Sequence, residues 1–409
     1  MNLAAQAEAA AKALEPRIIG WRRDFHQHPE LSNRETRTAG VVAEHLRSLG
    51  LPVQTGVAHT GVVALLDSGK PGPVIALRAD MDALPVAEEV NLPFASKARS
   101  TYNGQEVGVM HACGHDCHVA ILMGVAEVLN GLKSQLRGKV KLIFQPAEEG
   151  PPAGEEGGAA MMIKQGVLEN PKPDVIFGLH VFAGIETGTI AYRPGPTMAS
   201  ADRMKILVSG RQTHAALPWR GVDPIVISSQ IILGLQTIIS RQVDLSLEPA
   251  VLSIGAIKGG IRDNIIPDKV EMLGTVRTFD EGMRADIRDR IRTTVEMIAK
   301  SAGAEAEVFF DSAYPVTVND IPLTERMLPT LQRVAGTENV VLGQKITGYE
   351  DFSHYQKKIP GFFYFVGIDP KGTKRGQSAP NHSPRFYVDE SALVLGVRSL
   401  AHLALDYMR

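Results

Sequence analysis

The order of elements predicts an α/β domain interrupted by a ferredoxin-like α+β insertion, and three observations carry that reading. First, short apolar runs at residues 62–66, 74–77, 139–144, 174–179 and 361–366 read as strands, and the last four each lead into polar, ligand-type residues. Open parallel sheets gather such residues at the C-terminal ends of their strands. Second, residues 203–310 read strand, helix, strand, strand, helix, strand, which is the ferredoxin-like order. Third, 409 residues exceed what one core ordinarily organises. The expected division is 1–190 for the first part of the α/β domain, 191–311 for the insertion and 312–409 for the second part.

Composition narrows the function classes. With 44% hydrophobic and 22% charged residues and a net charge of −2, the chain has globular composition and no basic face for nucleic acid or an anionic membrane. Residues 1–16 are Ala-rich with Glu8, Lys12 and Glu15 and read as an amphipathic surface helix, not a secretory leader. No later run reads as long and apolar enough to span a bilayer, so the expected home is the cytoplasm.

Along the chain, helical patterning covers residues 4–23 and 35–49, the second closed by Gly50. Between them His26-Gln27-His28-Pro29-Glu30-Leu31 reads as a structural turn near the cleft. The strand at 74–77 delivers Asp80, either as a ligand or as a carboxylate orienting a ligand histidine, with a salt bridge to Arg78 as the bland alternative. Next comes Met110-His111-Ala112-Cys113-Gly114-His115-Asp116-Cys117-His118, holding five soft or borderline metal donors and the only two cysteines. A Cys113–Cys117 disulfide is one option, but the surrounding histidines favour thiolate ligation in a reducing compartment. Asp116 reads as the N-cap of a buried helix over 119–129, with Cys113 and His115 in the loop before it.

The strand at 139–144 runs into Gln145-Pro146-Ala147-Glu148-Glu149, where proline ends the ladder and two carboxylates stand on different bearings. One can hold a metal while the other acts as a base. Glu155 and Glu156 read as a solvated loop. His180 follows the strand at 174–179, and His382 stands in the loop after the strand at 361–366. Glu350 is a further carboxylate for the same cleft. In the insertion, His214 reads on its own as an ordinary helix-entry histidine, and the 391–408 helix as amphipathic packing.

The runs Met110–His118, Gln145–Gly150, Gly178–His180, Thr213–Pro218, Gly348–Ser353 and Asn381–Pro384, in this order over nearly the whole chain, resemble the aminoacylase/carboxypeptidase family of dinuclear metallohydrolases. The closest resemblance is to its amidohydrolase branch, which contains bacterial hippurate hydrolases and plant hydrolases of auxin–amino-acid conjugates. The resemblance implies a mixed-sheet, zinc-peptidase-like catalytic domain and a satellite domain. It also implies two divalent ions (Mn, Zn, Co or Ni) held by Cys113, His115, Glu149, His180 and His382, with Cys113 bridging and Asp80 behind them. Glu148 would be the general base. His214 would act in the partner subunit's site, in a homodimer or dimer of dimers formed through the satellite domain. Asn264 and Arg277 would bind substrate. The implied substrate is a small N-acyl amino acid; a dipeptide and an acetylated biosynthetic amino acid such as N-acetyl-diaminopimelate are the alternatives within the class. Outside it stand a non-catalytic metal-binding scaffold and a Cys-x3-Cys redox protein.

Overall fold

The computed structural model describes residues 2–374 and 376–409, the side chains of residues 312 and 313 apart. The chain divides into two compact units. Met1–Gly195, Asn319–Gln344 and His354–Arg409 form the first, and Pro196–Val318 with Lys345–Ser353 the second.

In the first unit the apolar runs become an eight-stranded mixed sheet. Its middle strands, in spatial order Lys139–Gln145, Val74–Asp80, Val175–Glu186 and Gly361–Asp369, are parallel. All nine residues of Gly361–Asp369 are buried, the continuous apolar pattern of a strand covered on both faces. Register then places the polar ends. Asp80 pairs with Gln145 and Arg78 with Gly178, so Asp80, Gln145 and His180 come level at one edge of the sheet. Helices Leu3–Gln27, His115–Gly131 and Ala392–Tyr407 pack together, the last two also on the sheet. The His115–Gly131 helix is buried at 14 of its 17 positions, so it is apolar on every side rather than amphipathic.

The second unit has the expected ferredoxin-like order. Its four-stranded antiparallel sheet runs Ala250–Gly259, Lys269–Thr278, Ala201–Ser209, Glu305–Tyr314, packed with helices Pro224–Thr237 and Glu281–Ser301. Both helices start on an aspartate cap. Asp223 accepts from the Ile225 and Val226 amides, and Asp280 from the Met283 amide.

Several local expectations are corrected. The first helix extends to Gln27 and takes in His26, because residues Ala7, Ala11, Ile18 and Phe25 keep one apolar face buried along its length; Met1 lies outside the described residues. The strand carrying His180 does not end there but runs on to Glu186 beside Gly361–Asp369. The closing helix is buried over most of its surface rather than one face. Glu155 is not merely solvated, since Arg34 and Asn33 both donate to its carboxylate. The Pro224–Gln242 stretch, 19 residues at mean hydropathy 1.2, does meet the length and composition of a membrane span. Here Ile227, Ile231 and Leu235 are buried in the core of the second unit, while Val226 and Leu233 face outward.

Candidate active site

The Met110–His118 stretch is set by a backbone turn. Gly114 has φ +95° and starts the helix, which begins at His115. A Cβ at Gly114 would stand 2.3 Å from Val181 Cγ2. Glycine is therefore required both by conformation and by space. Gly114→Ala is expected to destabilise the protein by about 2–4 kcal/mol, combining left-handed strain and overpacking. An unchanged denaturant midpoint would mean that the loop has another way round.

Asp116 is consequently not the N-cap. It lies inside the helix, fully buried, and its carboxylate accepts from Arg22 Nε at 2.9 Å and His26 Nδ1 at 2.8 Å. Burial alone would raise its pKa, but Arg22 and His26 hold it far below the carboxylate range. Cys117 is buried beside this pair, and burial pushes its thiol up. His111 is buried with no hydrogen-bond partner on either ring nitrogen among the described residues, and burial brings its pKa down to about 4.

His118 is also accounted for without a metal. Its Nε2 accepts the Val181 N–H at 2.9 Å, so its Nδ1 carries the proton and donates to Asp80 at 2.5 Å. Asp80 takes Arg78 Nη1 on its other oxygen at 2.5 Å. Asp80 thus pairs with Arg78, and the histidine it orients is His118, which is not among the expected ligands.

The remaining donors converge. His115 donates Nδ1–H to the Asp82 carbonyl at 2.8 Å, which leaves Nε2 buried and without a hydrogen-bond partner among the described residues. His180 donates Nδ1–H to the Val181 carbonyl at 2.7 Å and turns Nε2 to 3.4 Å from Cys113 Sγ. His382, at φ +71°, brings Nε2 to 3.3 Å from the same sulfur and 3.0 Å from Glu149 Oε1. The donor atoms of Cys113, His115 and His180 lie within 4.8 Å of one another, as do those of Cys113, Glu149 and His382. Two donor sets therefore share Cys113.

Electrostatics say what these sets would accept. Burial pushes the Cys113 thiol up, and Glu149, Glu148 and Asp80 push it further. Burial and the neighbouring His118 keep His180 neutral. Against burial, the carboxylates of Asp80, Asp82 and Glu149 hold the His115 imidazole up to about 10. So much buried acid beside an imidazole nitrogen without a hydrogen-bond partner among the described residues calls for positive charge, and a sulfur–nitrogen–nitrogen set next to a sulfur–nitrogen–oxygen set suits divalent borderline metals. The residues present fit a dinuclear centre.

Two residues without a role in the sequence reading organise the rest. Asp82 accepts the Glu148 and Glu149 amides at 3.0 Å each and the Ser32 hydroxyl at 2.8 Å. Its signal was its place two residues beyond Asp80 at the same strand end. Asn381 ties three segments, accepting from the Ala183 amide and donating to the Cys113 and Val181 carbonyls. Ala147, just before Glu148, is buried at φ +53°, a conformation that costs a non-glycine residue about 1–2 kcal/mol.

The other expected site residues lie in the second unit. His214 is exposed, and its Nδ1 accepts the Ala216 N–H, which puts the ring proton on Nε2. The Asn264 carbonyl takes the Ala215 amide. Arg277 stacks over Tyr349 at 4.8 Å, with Nη1 buried and without a hydrogen-bond partner among the described residues. Glu350 is buried, and its carboxylate accepts the Phe352 amide at 2.9 Å.

Comparison with known proteins agrees with this geometry. The chain is 42% identical over 409 residues to thermostable carboxypeptidase 2 of Saccharolobus solfataricus, covering 100% of this chain and 99% of that one. It is 40% identical over 397 residues to an N-acetylcysteine deacetylase of Bacillus subtilis, covering 97% and 98%. Among solved structures, the YxeP protein of Bacillus subtilis, described as a dinuclear metal-binding peptidase of the M20 family, superposes with a TM-score of 0.80 at 38% identity, over 97% of this chain and 99% of that one. The model of peptidase family M20/M25/M40 matches residues 76–406. With most of its length matched by that model and its whole length by a 42% relative, this chain belongs to peptidase family M20/M25/M40.

Proposed function

We propose that this protein is a metal-dependent amidohydrolase that cleaves N-acyl amino acids to a carboxylic acid and a free amino acid. The observation that carries it is the pair of donor sets meeting at Cys113, with Glu148 buried beside them and its Oε2 3.9 Å from His115 Nε2. Cys113, His115, Glu149, His180 and His382 would hold two divalent ions, one at each donor set. When bound, the ions supply Lewis acidity towards the scissile carbonyl and make hydroxide available near neutral pH.

Glu148 is the general base. It takes the proton from the attacking water and returns it to the departing nitrogen, a role typically worth ~10²–10⁴-fold. His214 donates its Nε2 proton to the developing oxyanion in the partner's site of a homodimer built through the second unit. Arg277, whose Nη1 has no hydrogen-bond partner among the described residues, receives the carboxylate of the substrate, and Asn264 and Glu350 assist in binding it. Because ligation needs a reduced thiol, the cytoplasm suits the enzyme.

The N-acyl reading draws support from the deacetylase relative, and the runner-up, a metallocarboxypeptidase acting on short peptides, from the carboxypeptidase relative. One experiment separates them. Protein stripped with chelator is expected to be inactive and to regain hydrolysis when Mn²⁺, Zn²⁺, Co²⁺ or Ni²⁺ is added back. The substrate panel sets N-acetyl and N-benzoyl amino acids against dipeptides, and free amino acid is the readout. Faster release from dipeptides would move the assignment to the carboxypeptidase. No release from folded, metal-loaded protein would leave a metal-binding scaffold.

A further inference from the structure

Glu35 immediately precedes helix Thr36–Ser48, and its side chain is fully buried. It makes no side-chain cap to that helix. Its bonds go elsewhere. Oε1 accepts the Ala147 amide at 2.9 Å and the Asn33 amide at 3.1 Å, while Oε2 accepts the Thr60 hydroxyl at 2.6 Å.

Ala147 holds the left-handed conformation immediately before Glu148. Such a conformation at a non-glycine residue persists only where its surroundings over-determine it. Here three consecutive amides of one turn are each held by a buried carboxylate oxygen: Ala147 by Glu35, and Glu148 and Glu149 by Asp82. The far side of the turn is closed by Gly157, where any side chain would come within 3.1 Å of Ala147 Cβ. The Asp82 carboxylate also lies 3.3 Å from His115 Nδ1, so removing it would disturb an expected ligand directly. Among the described residues Glu35 has no hydrogen bond to an expected ligand; besides Asn33 and Thr60, it holds the backbone that aims the base.

Resting on the amidohydrolase reading above, we infer that Glu35 is a positioning residue for hydrolysis: it locks the Ala147 amide and thereby fixes the bearing of Glu148, acting on turnover rather than on metal binding. Burial, and the Asp82 carboxylate facing it, push the Glu35 carboxyl up to about 8. The neutral acid is therefore well mimicked by glutamine, whose amide oxygen can still accept the Ala147 N–H.

The test uses the metal-loaded enzyme and the N-acyl amino acid that the wild type cleaves best. Glu35→Ala is expected to lower kcat by about 10–100-fold, since a displacement near 1 Å has that effect on a catalytic group. KM should stay within about twofold and metal content should be unchanged. The acidic limb of the pH profile should move, because Glu148 then sits in a different environment. Glu35→Gln should recover most of kcat. Glu35→Asp, a methylene too short to reach Ala147, should behave like the alanine variant, and it decides the matter if that variant does not fold.

Wild-type kcat in Glu35→Ala or Glu35→Asp would overturn the inference. So would a loss that merely tracks metal content or folded fraction, a glutamine variant as impaired as the alanine one, or failure of both shorter variants to fold. A wild type that hydrolyses no amide would instead overturn the amidohydrolase reading itself, so the two failures are distinguishable.

Discussion

Glu148→Gln is expected to reduce kcat on the preferred substrate by ~10²–10⁴-fold, the usual contribution of a general base, while the protein keeps its fold and its metal. The substitution is nearly isosteric and removes only the capacity to take up a proton. The turn that presents the side chain is held through backbone amides by Asp82 and Glu35, so it does not depend on the Glu148 carboxylate. Metal content by elemental analysis and kcat by amino-acid release, measured on one preparation, check the result. Turnover within about tenfold of wild type would place the base elsewhere. Lost metal would make Glu148 a ligand instead.

The second large effect is expected at Cys113. Its sulfur lies 3.4 Å from His180 Nε2 and 3.3 Å from His382 Nε2, so Cys113→Ala removes a donor from both sets at once. Outer-shell partners of metal ligands are worth roughly 10–100-fold in affinity, and a shared ligand should exceed that. Cys113→Ala should therefore lose metal and nearly all turnover. His382→Ala, a member of one set only, should lose part of the complement. Thermal unfolding gives an independent reading, because an ion present at about 100 times its Kd adds ~2.7 kcal/mol of apparent stability. The stabilisation of wild type by added metal should shrink in both variants. Cys117→Ala is the control: this neighbouring thiol belongs to neither donor set and should leave metal binding intact. A full complement in Cys113→Ala would undo the ligand assignment.

Much of this was legible in the sequence for a physical reason. Parallel strands buried on both faces read as continuous apolar runs, and polar residues stand out where those runs stop. Glu148 and Glu149 were therefore legible just past a strand end, His180 at the close of an apolar run inside a longer strand, and His382 in the loop that follows one. The ferredoxin-like order of the second unit was equally plain, since each element there alternates or repeats at its own period. Where local reading failed, the cause was a partner far away in the chain. Asp116 has the chemistry of an N-cap, but Arg22 and His26 claim its carboxylate from 94 and 90 residues away. His118 has the chemistry of a ligand, but the Val181 amide and Asp80 take both its ring nitrogens.

By itself, then, the sequence determined the class of fold and the set of atoms able to bind metal, because burial pattern and donor type are properties of single segments. Only the tertiary structure decided which donors are spent on hydrogen bonds and which stay available. It brought Cys113, which the resemblance already implied as shared, within reach of both sets, and it alone enlisted Asp82, Asn381 and Glu35 to aim the others. Those choices depend on distances between segments separated by as many as 269 residues, which the register of one sheet and the close approach allowed by Gly114 bring within a few ångströms.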